Sequence, residues 1–166
     1  MLRRTLSLLV LLVLHGCANP VIPQPAPGAR APVEQVRLDP EQARRMINEY
    51  RAGKGLGPLT LDERLTVAAR RHAVDMASLD RLDHKGSDGS DPWQRAREAG
   101  FRPRVAAENV GAGQRSLAEV MDGWRKSPGH DRNLLLRDAT HMGIALEVNP
   151  RTRFGTFWTL VLGSPI

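Results

Sequence analysis

Apolar side chains recur along this chain in blocks whose spacing changes from helical to strand-like toward the C-terminus. Met46, Ile47 and Tyr50 fall on one helix face. Asp39 stands before them as a helix cap, Pro40 suits the first helical position, and Gly53, Gly55 and Gly57 end the run ahead of Pro58. Residues 62–79 repeat the pattern through Leu65, Ala68, Ala69, His72, Met76 and Leu79, with Arg64, Arg70, Arg71 and Asp75 mainly on the other side. Residues 83–92 are rich in Gly, Ser and Asp and read as a loop. A short helix over 92–99 should stop at Gly100, and 105–113 reads as a short strand. Ser116 and Glu119 have capping-box spacing before Leu117, Val120, Met121 and Trp124; Ser127, Pro128 and Gly129 end that helix. Residues 130–136 suggest one further helical turn. Two strand-like segments, 141–148 and 154–163, flank a turn at 149–152. Helices first and a closing antiparallel pair last predict a mixed α+β domain.

The first residues follow other rules. Arg3 and Arg4 precede an apolar run over 6–14, then Gly16 and Cys17, the chain's one cysteine. A basic start, a short apolar stretch and small residues describe a secretory signal. The run is far short of the ~20 apolar residues that cross a bilayer. Leu14, Gly16 and Cys17 resemble the lipobox of bacterial lipoproteins, which implies lipidation at Cys17 and an exported, lipid-anchored protein of the bacterial cell envelope. Three regions result: a signal over 1–16, a Pro/Ala-rich tether over 17–37, and a folded domain over 38–166. Such a domain buries enough surface to fold without disulfides, and with one cysteine it has none to form. The net charge of +6 falls to +4 without the signal, and the basic residues are scattered rather than striped. Together with export, this argues against nucleic acid as a partner.

The segments Ala69–Ala77, His84, Ala107-Glu108-Asn109-Val110, the run from Trp124 through Ser127-Pro128-Gly129-His130 to Asn133-Leu134, and Thr140-His141-Met142-Gly143 stand in a telling order. Together they resemble the CAP superfamily (cysteine-rich secretory proteins, antigen 5, pathogenesis-related 1), in its bacterial branch, over residues 40–166. The resemblance implies a three-layer α-β-α sandwich around a small antiparallel sheet, with a cleft lined by His84, Glu108 and His130. The eukaryotic pattern has a second glutamate where this chain has Ser127, so Ser127 joins the cleft in its place.

The trio also makes chemical sense. Imidazole titrates near neutrality and is the usual transition-metal ligand. His84 and His130 with one carboxylate could hold zinc with an open position, or form a hydrogen-bonded network without metal. The expected function is an exported protein binding a lipid, metal or envelope component through this cleft. The alternative is a metal-assisted hydrolase acting on peptide or cell-wall polymer, with Glu108 as base. No nucleophile motif supports catalysis: Ser127 and His130 lack an identifiable third member. His72 reads as a hydrogen-bonded core residue. Asn109 and Asn133 read as partners for buried backbone groups, and Trp93, Trp124 and Trp158 as core or cleft-wall aromatics.

Overall fold

A computed structural model describes residues 32–166. The signal, Cys17 and most of the tether therefore lie outside the described residues. Chain order is α1 (Pro40–Ala52), β1 (Thr60–Leu61), α2 (Glu63–Leu79), α3 (Pro92–Glu98), β2 (Pro103–Ala112), α4 (Leu117–Lys126), α5 (Pro128–Leu134), β3 (His141–Val148) and β4 (Thr156–Pro165). The strands form one sheet in the order β1-β3-β4-β2. β4 pairs antiparallel with β3 and β2, while β1 runs parallel to β3 over only two residues.

Side-chain alternation along the strands builds two cores. Met142, Ile144, Trp158, Leu160 and Leu162 face Ile47 of α1, Val120, Met121 and Trp124 of α4, and Leu134 of α5. Ala145 and Val161 face the other way, onto Leu65, Ala69 and Ala73 of α2, Ala96 of α3, and Phe101. The sheet thus lies between two helical layers, as the α-β-α expectation required. Gly143 marks the tightest approach, for a Cβ there would sit 2.1 Å from the backbone of Leu65 and Thr66.

The helix starts follow their caps. Asp39 accepts from the amides of Glu41 and Gln42, Asp62 from Arg64, Asp91 from Gln94, and Ser116 from Glu119. The structure departs from the sequence reading in several details: β4 lies two residues later than the 154–163 segment, and Trp93 is exposed rather than in the core. Packing begins before Leu38: Val33–Gln35 form a turn of 3-10 helix, and Val36 is buried in the core. The 105–113 strand extends to ten residues because β4 pairs with it along nearly its whole length. Leu79 is exposed rather than part of the inward face. Pro128 opens α5 instead of closing α4, since a proline fits where the helix amide needs no partner.

Arg51 fixes α5 in place. It is fully buried in the last turn of α1. It donates to the carbonyls of Gly57 at 2.9 Å, Leu134 at 2.8 Å, Leu136 at 3.0 Å and Ala139 at 3.4 Å. Those acceptors include carbonyls left without helical partners at the end of α5. The helix carrying His130 is therefore anchored at its far end by a charged side chain from α1.

Candidate functional site: an exposed imidazole on a buried carboxylate

Glu108 lies at the middle of β2 with its side chain 1% exposed. Its Oε1 accepts from His84 Nδ1 at 2.9 Å, and its Oε2 from Arg95 at 2.7 Å. Both carboxylate oxygens are thus engaged, and a buried charge meets a buried cation as its desolvation requires. Arg95 comes from α3, where Ala96 beside it also faces inward.

The loop holding His84 is pinned from two sides. Arg95 donates to the His84 carbonyl at 3.0 Å. His72, wholly buried on α2, donates from Nε2 to the Asp83 carbonyl at 2.8 Å, and the same nitrogen lies 3.7 Å from Glu108 Oε1. His72 is a structural residue, as its place on the apolar face suggested. The result is a half-exposed His84 ring whose Nδ1 is fixed and whose Nε2 is left for solvent or a ligand.

His130 reaches the same neighbourhood from α5. Asn109, next to Glu108, donates to the His130 carbonyl at 3.0 Å. Asn133 donates to the Glu108 carbonyl and to Asn109 Oδ1, both at 2.9 Å. These amides lock the start of α5 onto β2, which is the backbone-satisfying role expected of them. His84 through its ring and His130 through its backbone carbonyl thus both attach to neighbouring residues of β2, Glu108 and Asn109. Ser127 sits at the junction of α4 and α5. Its recorded hydrogen bonds are backbone ones, its amide donating to the Trp124 carbonyl at 3.3 Å. Trp124 and Trp158 are core residues, and Trp124 Nε1 donates to the Val110 carbonyl.

The histidines titrate in opposite directions. The hydrogen bond to Glu108 raises His84 above its ordinary 6.5, against a lowering by burial. Burial lowers His130, and the nearby His84 charge lowers it further. Burial likewise lowers His72, against the pull of Glu108. A raised histidine contributes stability that is full below its unfolded-state value and lost as pH rises through its folded value. A lowered one costs stability as pH falls below its unfolded-state value. His84→Ala should therefore flatten the alkaline limb of the stability profile, leave the His72 part of the acid limb in place, and ease the His130 part, since the His84 charge that lowers His130 is gone. Denaturation midpoints between about pH 5 and 9 check this.

The donor set does not fit a three-ligand zinc centre. Among the described residues no three His, Cys, Asp or Glu side chains are arranged to hold a metal ion. A catalytic zinc uses three protein ligands and an open position. Glu108 is committed to His84 and Arg95, so only the His84 and His130 rings are left as donors.

Two residues were missed in sequence. Arg95 looks like one more solvated helix arginine, and only its place beside inward-facing Ala96 hinted otherwise. Tyr50 donates to Asp131 Oδ1 at 2.7 Å and carries the Arg125 guanidinium 5.6 Å from its ring centre, tying α1, α4 and α5 together next to His130.

Comparison with known proteins identifies the class to which this α-β-α sandwich belongs. The profile of the cysteine-rich secretory protein family, CAP, matches residues 44–162, and the chain belongs to that family. It is 32% identical over 114 residues to a Bacillus subtilis protein, YkwD, covering 69% of this chain and 42% of that one. An extracellular SCP-domain protein from Bacillus anthracis superposes with a TM-score of 0.66 at 22% identity, over 75% of this chain and 39% of its own. An outer surface protein from Borrelia burgdorferi gives 0.66 at 22% identity, over 76% and 92%. The chain thus spans less than half of the two Bacillus proteins. Among the described residues no helix is long and apolar enough to cross a membrane.

Proposed function

We propose that this CAP domain is exported and binds an anionic group of an envelope lipid or polymer through the cleft at His84 and His130, without catalysing a reaction. One observation carries the reading: an exposed imidazole whose Nδ1 is held by a buried carboxylate and whose charge is thereby favoured. Protonated His84 offers Nε2–H to an anion. Neutral His130 offers one donor and one acceptor beside it. Export rests on the Arg3–Cys17 segment and on the extracellular and surface relatives. Lipidation at Cys17 would place the cleft near a membrane.

Vesicle co-sedimentation of the full chain tests the reading, with phosphatidylglycerol against phosphatidylcholine and a zinc titration alongside. Preference for the anionic vesicles should fade as pH rises through the His84 titration. In the His84→Ala/His130→Ala double variant it should drop by about tenfold, the weight of one lost charged hydrogen bond. Lipid and zinc curves both unchanged in the double variant would remove the cleft from the function.

A further inference from the structure

The sheet has an open edge. β1 covers β3 only at His141 and Met142. The Met142 carbonyl accepts from the Asp62 amide on that side, whereas the odd-numbered residues of β3 turn to β4, a pattern continued by the Asn149 amide on the Gly155 carbonyl. Strand alternation then aims the N–H and C=O groups of Ile144, Leu146 and Val148 outward. No hydrogen bond from another described residue meets them. These positions span about 14 Å, the reach of four or five extended residues.

This edge is the floor of a groove of about 410 Å³. Val36 and Leu38 form one wall, and Thr66 and Arg70 of α2 the other. An adjoining hollow shares Glu147 and Val148 and extends to Arg151. Arg37, Arg70 and Arg151 are exposed and form no ion pair with a described residue, Arg37 donating only to the Glu34 and Val36 carbonyls, while Glu147 is the one acidic side chain lining either hollow. Proteins usually cover or charge such an edge against pairing with other chains. Here the edge lies recessed between two walls.

We propose that the β3 edge groove is a docking site for an extended, acidic peptide segment of a partner protein, which adds a strand to the sheet. Main-chain hydrogen bonds to Leu146 and Val148 supply the pairing, while Ile144, 1% exposed, closes the end of the groove. Arg37, Arg70 and Arg151 favour acidic side chains on the incoming strand. This surface is built from residues other than the His84 cleft, so neither proposal depends on the other.

The full chain is panned against a displayed library of random octapeptides, and an enriched peptide is then titrated onto it. Enriched sequences should be acidic with alternating apolar residues, and the peptide should slow exchange of the Leu146 and Val148 amides. Leu146→Pro removes an outward N–H without touching the ladder to β4. Arg37→Glu/Arg70→Glu reverses charge at exposed positions and leaves the core intact. Each should weaken the peptide by at least about tenfold, the scale of one lost charge-assisted contact. The proposal is overturned if selected peptides are not acidic or if the arginine variant binds them unchanged. It also fails if the Leu146 and Val148 amides are already protected in the free chain. That would show that residues 1–31 or a second copy occupy the groove, and sedimentation tells those apart.

Discussion

Glu108→Ala should cost the protein about 3–5 kcal/mol, because it leaves the Arg95 guanidinium buried without its carboxylate. For a domain of this size that is a fall of about 10–20 °C in melting temperature. The loss exceeds the worth of the contacts themselves, since most of it is the cost of an unpaired charge out of water. Two companions separate those terms. Glu108→Gln keeps oxygen and nitrogen in place and should lose less. Glu108→Leu/Arg95→Met removes both charges and should recover much of the loss, a coupling that a double-mutant cycle reads directly. Glu108→Ala should also bring His84 down, for its raising hydrogen bond is gone. A destabilisation under about 1 kcal/mol, the range of an exposed pair, would mean that this pair is not buried as described.

Gly143→Ala should be at least as damaging. The new Cβ would lie 2.1 Å from the Leu65 carbon and the Thr66 nitrogen, and neither is the end of a flexible side chain. Relief requires α2 to lift from β3, which opens the core of Leu65, Ala69 and Ala145. A cost of about 3 kcal/mol or more follows, at the upper end of overpacking effects. Gly123→Ala is the contrast: it sits in α4 with nothing within 4 Å of the added methyl, and should stabilise by about 0.5–1 kcal/mol. Soluble yield and denaturation midpoints of the two variants check both. Equal behaviour would show that the α2–β3 contact is looser than the structure places it.

The helices were legible because their ends are written in local chemistry. Asp39-Pro40, Asp91-Pro92 and Ser116–Glu119 each mark a cap whose hydrogen bonds need no distant partner. β3 was read with its true bounds because it alternates over eight residues. β1 was invisible, since two residues pair only because β3 happens to lie alongside. β2 was ambiguous because Ala, Gly and Asn have weak strand preference, and its length is imposed by β4.

For the site, residue types and spacing never joined His84 to Glu108; the family resemblance did. Their separation along the chain is bridged by α3 and the paired sheet, which no local pattern encodes. Arg95 stayed hidden for the same reason. An arginine on a short helix reads as solvated until a carboxylate from another element meets it. The Glu108 carboxylate holds the His84 imidazole with one oxygen and the Arg95 guanidinium with the other.

The account depends on two imidazoles sharing one groove, and their mutual titration tests it most directly. The ring protons of His84 and His130 are followed by NMR across pH in the wild type and in His84→Ala. His84 should titrate above 6.5 and His130 below it. Removing the His84 charge should then move His130 upward, leaving only the lowering by burial. A His130 titration that does not move when His84 is removed would contradict a common cleft.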